Sequence, residues 1–432
     1  MNLTEKLFLN KKNKKAIFDT IKKNSNESFL ADVSNKVEDI IEQVKNKGNS
    51  ALIRLTNKLD HNDIKISEIK VKPEEFEEAT LSIKTDMFAI IRQAIERIEV
   101  FHKNQIEKSW FTNNEKGIVL GQLVRPIERV GIYVPGGSAE YPSSLLMGAI
   151  PAFVAGVKEV CVVTPLGTRS KMSPYLLRAA QELGISEIYK IGGAQAIAAL
   201  AYGTETIKPV NKIVGPGNIY VTLAKKQVFG QVDIDMLAGP SEILIWAEDG
   251  VNIDYVIADL FSQAEHDEQA TAVLVTTSEK LAEQVQNGIE KQIVNCERRD
   301  IITHSLSKNG KIIVAENKEL IIEFINEFAP EHLELQINDP WSYLGELKNF
   351  GAVFLGQYSP EPLGDYWAGP NHILPTMGNA RQFSVLSVHD FLKRSSIIYC
   401  QREKFLQDRD KIARFADLEG LPAHANALRI RK

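Results

Sequence analysis

The sequence predicts an α/β protein built on two parallel sheets, and three observations carry this. From residue 129 onward, short β-rich runs alternate with helix-length amphipathic runs, the pattern of parallel strands joined by crossover helices. The alternation comes in two series, the second starting at Glu242. At 432 residues the chain also exceeds the roughly 250 to 300 residues at which a single core stops growing.

Taken in order, residues 33–59 and 73–102 carry helical patterns, with a short strand candidate at 64–71. The first series places strands at 130–134, 159–164, 187–191 and 212–214. Helical stretches at 143–155, 173–183, 194–203 and 219–229 lie between and after them. The second series places strands at 243–247, 272–276, 311–314, 333–337 and 352–355, with helices that include 254–265 and 318–328. The tail from residue 387 reads as helices only, with one apolar seam through Phe391 and Ile397 and another through Phe405, Ile412 and Phe415. There is no repeat of fixed period and no low-complexity tract.

A hydrophobic content of 44%, a charged content of 25% and a net charge of -5 describe an ordinary soluble composition without the basic footprint of a nucleic-acid binder. The first fifteen residues lack the continuous apolar region of a secretory signal, and the apolar run 145–157 is too short to span a bilayer. A cytoplasmic location with no membrane or nucleic-acid partner is the expectation. Cys161, Cys296 and Cys400 are too far apart for zinc-finger spacing and are expected to be buried or inert thiols.

Four segments carry candidate chemistry. In helix 254–265, Val256, Ile257, Leu260, Phe261 and Ala264 form an inward stripe that leaves Asp259, Gln263 and His266 on another face. Residues three apart on a helix are neighbours, so Gln263 and His266 can converge on a metal; the alternative is a histidine serving as a helix C-terminal cap. Pro330-Glu331-His332-Leu333 sets two proton carriers of different strength at the start of a strand, or else forms a solvated turn. The Gly364–His372 segment holds Asp365 and His372, potential metal or substrate ligands, in what reads as a loop after a strand. His424 stands alone near the C-terminus, where a histidine is usually just exposed.

Two glycine-rich segments follow strands and precede helices: Tyr133-Val134-Pro135-Gly136-Gly137-Ser138 and Gly215-Pro216-Gly217-Asn218. Backbone amides so placed can face a pyrophosphate. Neither matches the Gly-x-Gly-x-x-Gly dinucleotide fingerprint.

These segments, joined by Gly192-Gly193-Ala194-Gln195, Ala238-Gly239-Pro240-Ser241-Glu242 and Ser262-Gln263-Ala264-Glu265-His266, resemble in their order the histidinol dehydrogenase family over nearly the whole chain. The resemblance implies two Rossmann-like parallel-sheet domains, both incomplete variants, with small helical N- and C-terminal segments. The division it suggests is an N-terminal helical segment 1–24, a discontinuous α/β domain from 25–132 and 243–386, a nucleotide-binding α/β domain 133–242, and a tail 387–432 swapped between two copies. It implies one Zn²⁺ per subunit on Gln263, His266, Asp365 and His424, the last supplied by the other subunit of a homodimer with shared active sites. Glu331 and His332 fall on the acid/base pair. Tyr133, Gln195 and Asn218 fall on NAD contacts. Ser241, His372 and Glu419 fall on contacts to the substrate L-histidinol, together with His332 and the metal ligands. The implied reaction is the four-electron oxidation of L-histidinol to L-histidine with two NAD⁺, through a bound aldehyde. The rivals are a dehydrogenase of another amino or hydroxy compound, a zinc hydrolase, against which the missing His-Glu-x-x-His helix speaks, and a non-catalytic relative.

Overall fold

The computed structural model describes residues 3–22, 27–60, 63–136, 141–167 and 171–432. The chain opens with β1 (Glu5–Leu9) and α1 (Lys14–Lys22), followed by α2 (Glu27–Leu59), α3 (Pro73–Ser82), α4 (Thr85–Lys103), β2 (Trp110–Thr112) and β3 (Ile118–Pro126). The first parallel series runs β4 (Arg129–Tyr133), α5 (Pro142–Ala155), β5 (Glu159–Val163), α6 (Pro174–Glu182), β6 (Ile188–Tyr189), α7 (Gly193–Tyr202), β7 (Lys212–Val214), α8 (Ile219–Val228) and β8 (Asp233–Ile234). The second runs β9 (Glu242–Ala247), α9 (Ile253–Ala264), β10 (Thr271–Thr276), α10 (Glu279–Gln292), α11 (Arg299–Asn309), β11 (Lys311–Ala315), α12 (Lys318–Phe328), β12 (His332–Gln336) and β13 (Ala352–Leu355). A short helix α13 (Glu361–Leu363) leads into a π-helical turn (Gly364–Ala368), and the chain closes with β14 (Leu392–Cys400), α14 (Arg402–Leu418) and α15 (Pro422–Arg429).

The two series form separate parallel sheets, β6-β5-β4-β7-β8 and β1-β11-β10-β9-β12-β13. Helices cover both faces of each, so β4, β9, β11 and β12 are buried along their length and read as apolar runs rather than alternating ones. In the smaller sheet the chain moves outward from β4 through β5 to β6, then returns to β7 on the other side of β4. That reversal leaves a crevice beyond the carboxyl ends of β4 and β7, where open α/β sheets bind ligands.

Three assignments from the sequence are corrected by the packing. Residues 25–132 do not join the second series: Val33, Val37, Ile41, Val44 and Leu52 of α2 share one core with α7, α8 and Tyr133. Each fully buried aliphatic side chain contributes roughly 1.5 to 3 kcal/mol, so this stripe fixes α2 on the smaller sheet. The N-terminal segment is not purely helical, because β1 adds a parallel edge strand to β11, Glu5 opposite Lys311 through Leu9 opposite Ala315. Only Leu9 of that strand is buried, a weak signal among lysines and asparagines. The tail is not helical throughout, since β14 pairs antiparallel with β3 over nine residues and forms a third sheet with β2. Neither face of β14 is buried, so Ile397 and Ile398 show no period-two pattern that would separate a strand from a helix.

Smaller differences have local causes. The 73–102 pattern is two helices, interrupted where Ile83 turns extended, and the 64–71 candidate is a 3₁₀ turn, with Lys70 bridging Tyr189. Of the cysteines only Cys161 is buried, its thiol pushed up to about 12 by that burial; Cys296 is half-buried and Cys400 exposed. Among the described residues no helix is long and apolar enough to cross a membrane.

Candidate active site

The amino ends of the central strands of the larger sheet carry the proton-transfer candidates. Helix α12 stops at Ala329, in the left-handed region at φ 53, and Pro330 then directs Glu331 and His332 into the start of β12. Both side chains are buried. His332 Nδ1 lies 3.0 Å from the backbone carbonyl of Glu242. A carbonyl only accepts, so Nδ1 carries the hydrogen and the neutral ring presents a lone pair at Nε2. That Nε2 is buried without a protein partner among the described residues. Burial lowers the His332 pKa to about 4, which keeps the ring neutral. Glu331 Oε2 accepts the Glu242 N–H at 2.8 Å, and burial raises its pKa well above the usual carboxyl value. The two groups stand 3.7 Å apart, between His332 Nδ1 and Glu331 Oε2.

A second group converges on the same place. Potential ligand atoms of His266, Glu361 and Asp365 all lie within 4.8 Å of one another. His266 follows the end of α9 and stands at the exposed rim; atoms crowding its ring hold its pKa below the usual histidine value, against the opposing pull of Asp365. Asp365 sits in the π-helical turn rather than in a loop, and π-turns recur at functional sites because they redirect one side chain. Its Oδ1 is 3.6 Å from His372 Nδ1. Gln263, one turn before His266, buries a side-chain oxygen with no partner among the described residues. Imidazole, carboxylate and an unsatisfied amide oxygen are the donor chemistry of a divalent-cation site, so the residues present fit zinc.

Glu361 escapes a reading of the sequence. It lies four residues before Asp365, 2% exposed, with Oε1 4.0 Å from His332 Nε2. Burial and the neighbouring Asp365 raise its pKa to about 10. Behind it, Glu334 Oε1 accepts the Glu361 N–H at 2.8 Å, while the Gln336 amide donates to Glu334 at 3.1 Å and to Asp259 at 2.7 Å. His332, Glu334 and Gln336 alternate along β12 and so share one face. Three polar residues at period two within a fully buried strand are the signal that points to this network. Asp259, on the same helix as Gln263, joins this network through Gln336 and Glu334.

The dinucleotide candidates cluster at the carboxyl ends of the smaller sheet, where its strand order reverses. Tyr133 ends β4, buried, and its hydroxyl accepts the Gly193 N–H at 3.2 Å. Gln195 lies in the first turn of α7, 1% exposed, with neither carboxamide atom partnered among the described residues. Asn218 caps α8, its Oδ1 accepting from Tyr220 and Val221, and is itself exposed. Gly137 and Ser138 lie outside the described residues. Gly215 has φ +116°, and a Cβ there would stand 2.1 Å from the Tyr133 carbonyl oxygen. Gly215→Ala is therefore expected to lose ~1–3 kcal/mol of stability, read as a lowered midpoint in urea unfolding.

Ser241 immediately precedes Glu242, and its carbonyl accepts the Thr271 N–H at 2.9 Å, which places it beside the Glu331 anchor. Segments from either side of β9 to β13 link the two regions: Thr222 donates to the Ala238 carbonyl, Gly239 N–H to Thr376, and Asn371 to the Met147 carbonyl in α5. His424 and Glu419 do not join the cluster within one chain; both are exposed on the tail.

The family model for histidinol dehydrogenase matches residues 23–432. Histidinol dehydrogenase of Listeria monocytogenes is 47% identical over 415 residues, covering 96% of each chain. That of Bacillus subtilis is 52% identical over 396 residues, covering 92% of each. The crystal structure of histidinol dehydrogenase from Elizabethkingia anophelis superposes with a TM-score of 0.92 at 36% identity, covering 100% of this chain and 98% of that one. Matched over almost its full length in both sequence and fold, the chain belongs to the histidinol dehydrogenase family.

Proposed function

We propose that the protein oxidises L-histidinol to L-histidine, through bound L-histidinaldehyde, with two NAD⁺ and one water, as the last steps of histidine biosynthesis in the cytoplasm. The observation that carries this is the placement of a neutral, unpartnered His332 Nε2 and the Glu331 carboxyl beside the His266–Glu361–Asp365 cluster. A Zn²⁺ ion, one per subunit, held by Gln263, His266, Asp365 and the His424 of a second copy, supplies an anchor for the amine and imidazole nitrogens of the substrate. NAD⁺ bound against Tyr133, Gln195 and Asn218 supplies the hydride acceptor for each oxidation.

The proton work falls to the chain itself. His332 Nε2 takes the alcohol proton as the first hydride leaves carbon one, giving the aldehyde. Glu331, anchored through one carboxyl oxygen, has the other available to take a proton from water, and attack on the aldehyde gives its hydrate. His332 then takes a hydrate proton as the second hydride leaves, giving the acid. Ser241, His372 and, from the second copy, Glu419 orient the substrate.

Two features support a homodimer with shared active sites. His424 and Glu419 have no place in the cluster of their own chain. The tail and the third sheet also expose Phe415, Leu418, Ile398, Tyr399, Trp110 and Phe111, apolar surface of the kind a second copy covers.

Incubating the zinc-loaded protein with histidinol and NAD⁺ tests the activity by stoichiometry. Two NADH per histidinol consumed are expected. One would mean that the chain stops at the aldehyde, and none would remove the proposal.

A further inference from the structure

Behind the Gly215–Asn218 loop lies an ion pair that the chemistry above does not use. Lys225, on α8, and Asp235, just after β8, have side chains 3% and 1% exposed and pair with each other. Both also grip one residue of the loop: Lys225 Nζ donates to the Gly215 carbonyl at 3.0 Å, and the Gly215 N–H donates to Asp235 Oδ2 at 2.7 Å. The other Asp235 oxygen accepts the Met236 N–H at 2.6 Å. A buried ion pair is weak as a stabilising device, because desolvation of both charges offsets most of their attraction. Its geometry here does something an apolar pair of equal volume does not: it holds both polar edges of a glycine whose φ of +116° presses the loop against the end of β4.

Three residues after Gly215, Asn218 starts α8, and Tyr133 lies beneath the glycine. We propose that Lys225 and Asp235 are positioning residues for the dinucleotide, fixing Gly215 so that Asn218 and the first amides of α8 stand at a set distance from Tyr133. This rests on the placement of NAD⁺ at the β4/β7 crevice, and the experiment separates the two.

Removing one charge alone would strand the other and threaten the fold, so the informative variant is Lys225→Met with Asp235→Asn, which removes both. In the zinc-loaded enzyme, NAD⁺ affinity is measured by titration, alongside histidinol binding without NAD⁺, metal content and steady-state kinetics, with Asn218→Ala as a parallel control. The expected result is a folded protein with unchanged zinc and histidinol binding, NAD⁺ binding weakened roughly tenfold, and a raised KM for NAD⁺ at nearly constant kcat. An NAD⁺ affinity within about twofold of the parent, while Asn218→Ala weakens binding, would overturn the positioning role alone. Equal losses of NAD⁺ and histidinol binding would also overturn it, because they mark general damage. If Asn218→Ala leaves NAD⁺ affinity intact, the crevice is not the NAD⁺ site and both proposals fall.

Discussion

His332→Ala is expected to slow both oxidations by roughly 10²- to 10⁴-fold, whereas Glu331→Gln is expected to slow the second far more than the first. The asymmetry follows from what each group can reach. His332 has a single free nitrogen, Nε2, because Nδ1 is committed to the Glu242 carbonyl. That one lone pair has to serve every step in which a hydride leaves as a hydroxyl proton is lost. Glu331 is held by the Glu242 N–H through one oxygen, so its free oxygen serves water rather than the alcohol. An amide in its place keeps an acceptor for that N–H but cannot take up a proton. Single-turnover experiments with enzyme in excess read the two steps separately, as the first and second equivalents of NADH. Equal slowing of both steps by Glu331→Gln would contradict this division of labour.

Asp365→Asn and His424→Asn are each expected to lose zinc and activity together while keeping the fold. Asp365 occupies the centre of the donor cluster, within reach of His266, Glu361 and His372. Its charge helps to raise the Glu361 pKa, so replacing it by an amide relieves a repulsion among buried carboxylates rather than creating one. His424 is exposed on α15 within its own chain, so its loss leaves no core cavity. Metal content should fall from about one ion per chain to near none, as expected when a cation site loses one of its protein ligands. Turnover should fall by at least 10², since the substrate loses its anchor. Purified variants that retain a full complement of zinc would contradict the ligand assignment.

Much of the fold is legible because its strands are buried on both faces and its helices carry one apolar stripe, as in β9 and α9. What escapes is structure without a one-sided burial pattern: β1, with only Leu9 inside, and β14, exposed on both faces. The attachment of α2 escapes for a different reason, because its apolar stripe states that a partner exists but not which sheet provides it. In the site, Glu331, His332, Gln263, His266 and Asp365 stand out as chemical types in suggestive places, and the fold brings their segments together. Glu361 does not stand out, since a carboxylate beside prolines in a polar stretch looks solvated until Glu334 and Asp365 are found around it. The preference for loops after strands points to the β4/β7 crevice but not to the proposed proton carriers Glu331 and His332, which sit where the amino ends of β9 and β12 meet.

Mixing His266→Asn and His424→Asn chains, by unfolding and refolding them together, tests most directly whether one cation is held by donors from two molecules. Each variant alone is expected to be inactive and metal-poor. In the mixed dimer one site carries both substitutions and the other carries neither, so about a quarter of the parent's activity and zinc should return if chains pair at random. No recovery, from a mixture shown to contain mixed dimers, would contradict the shared site.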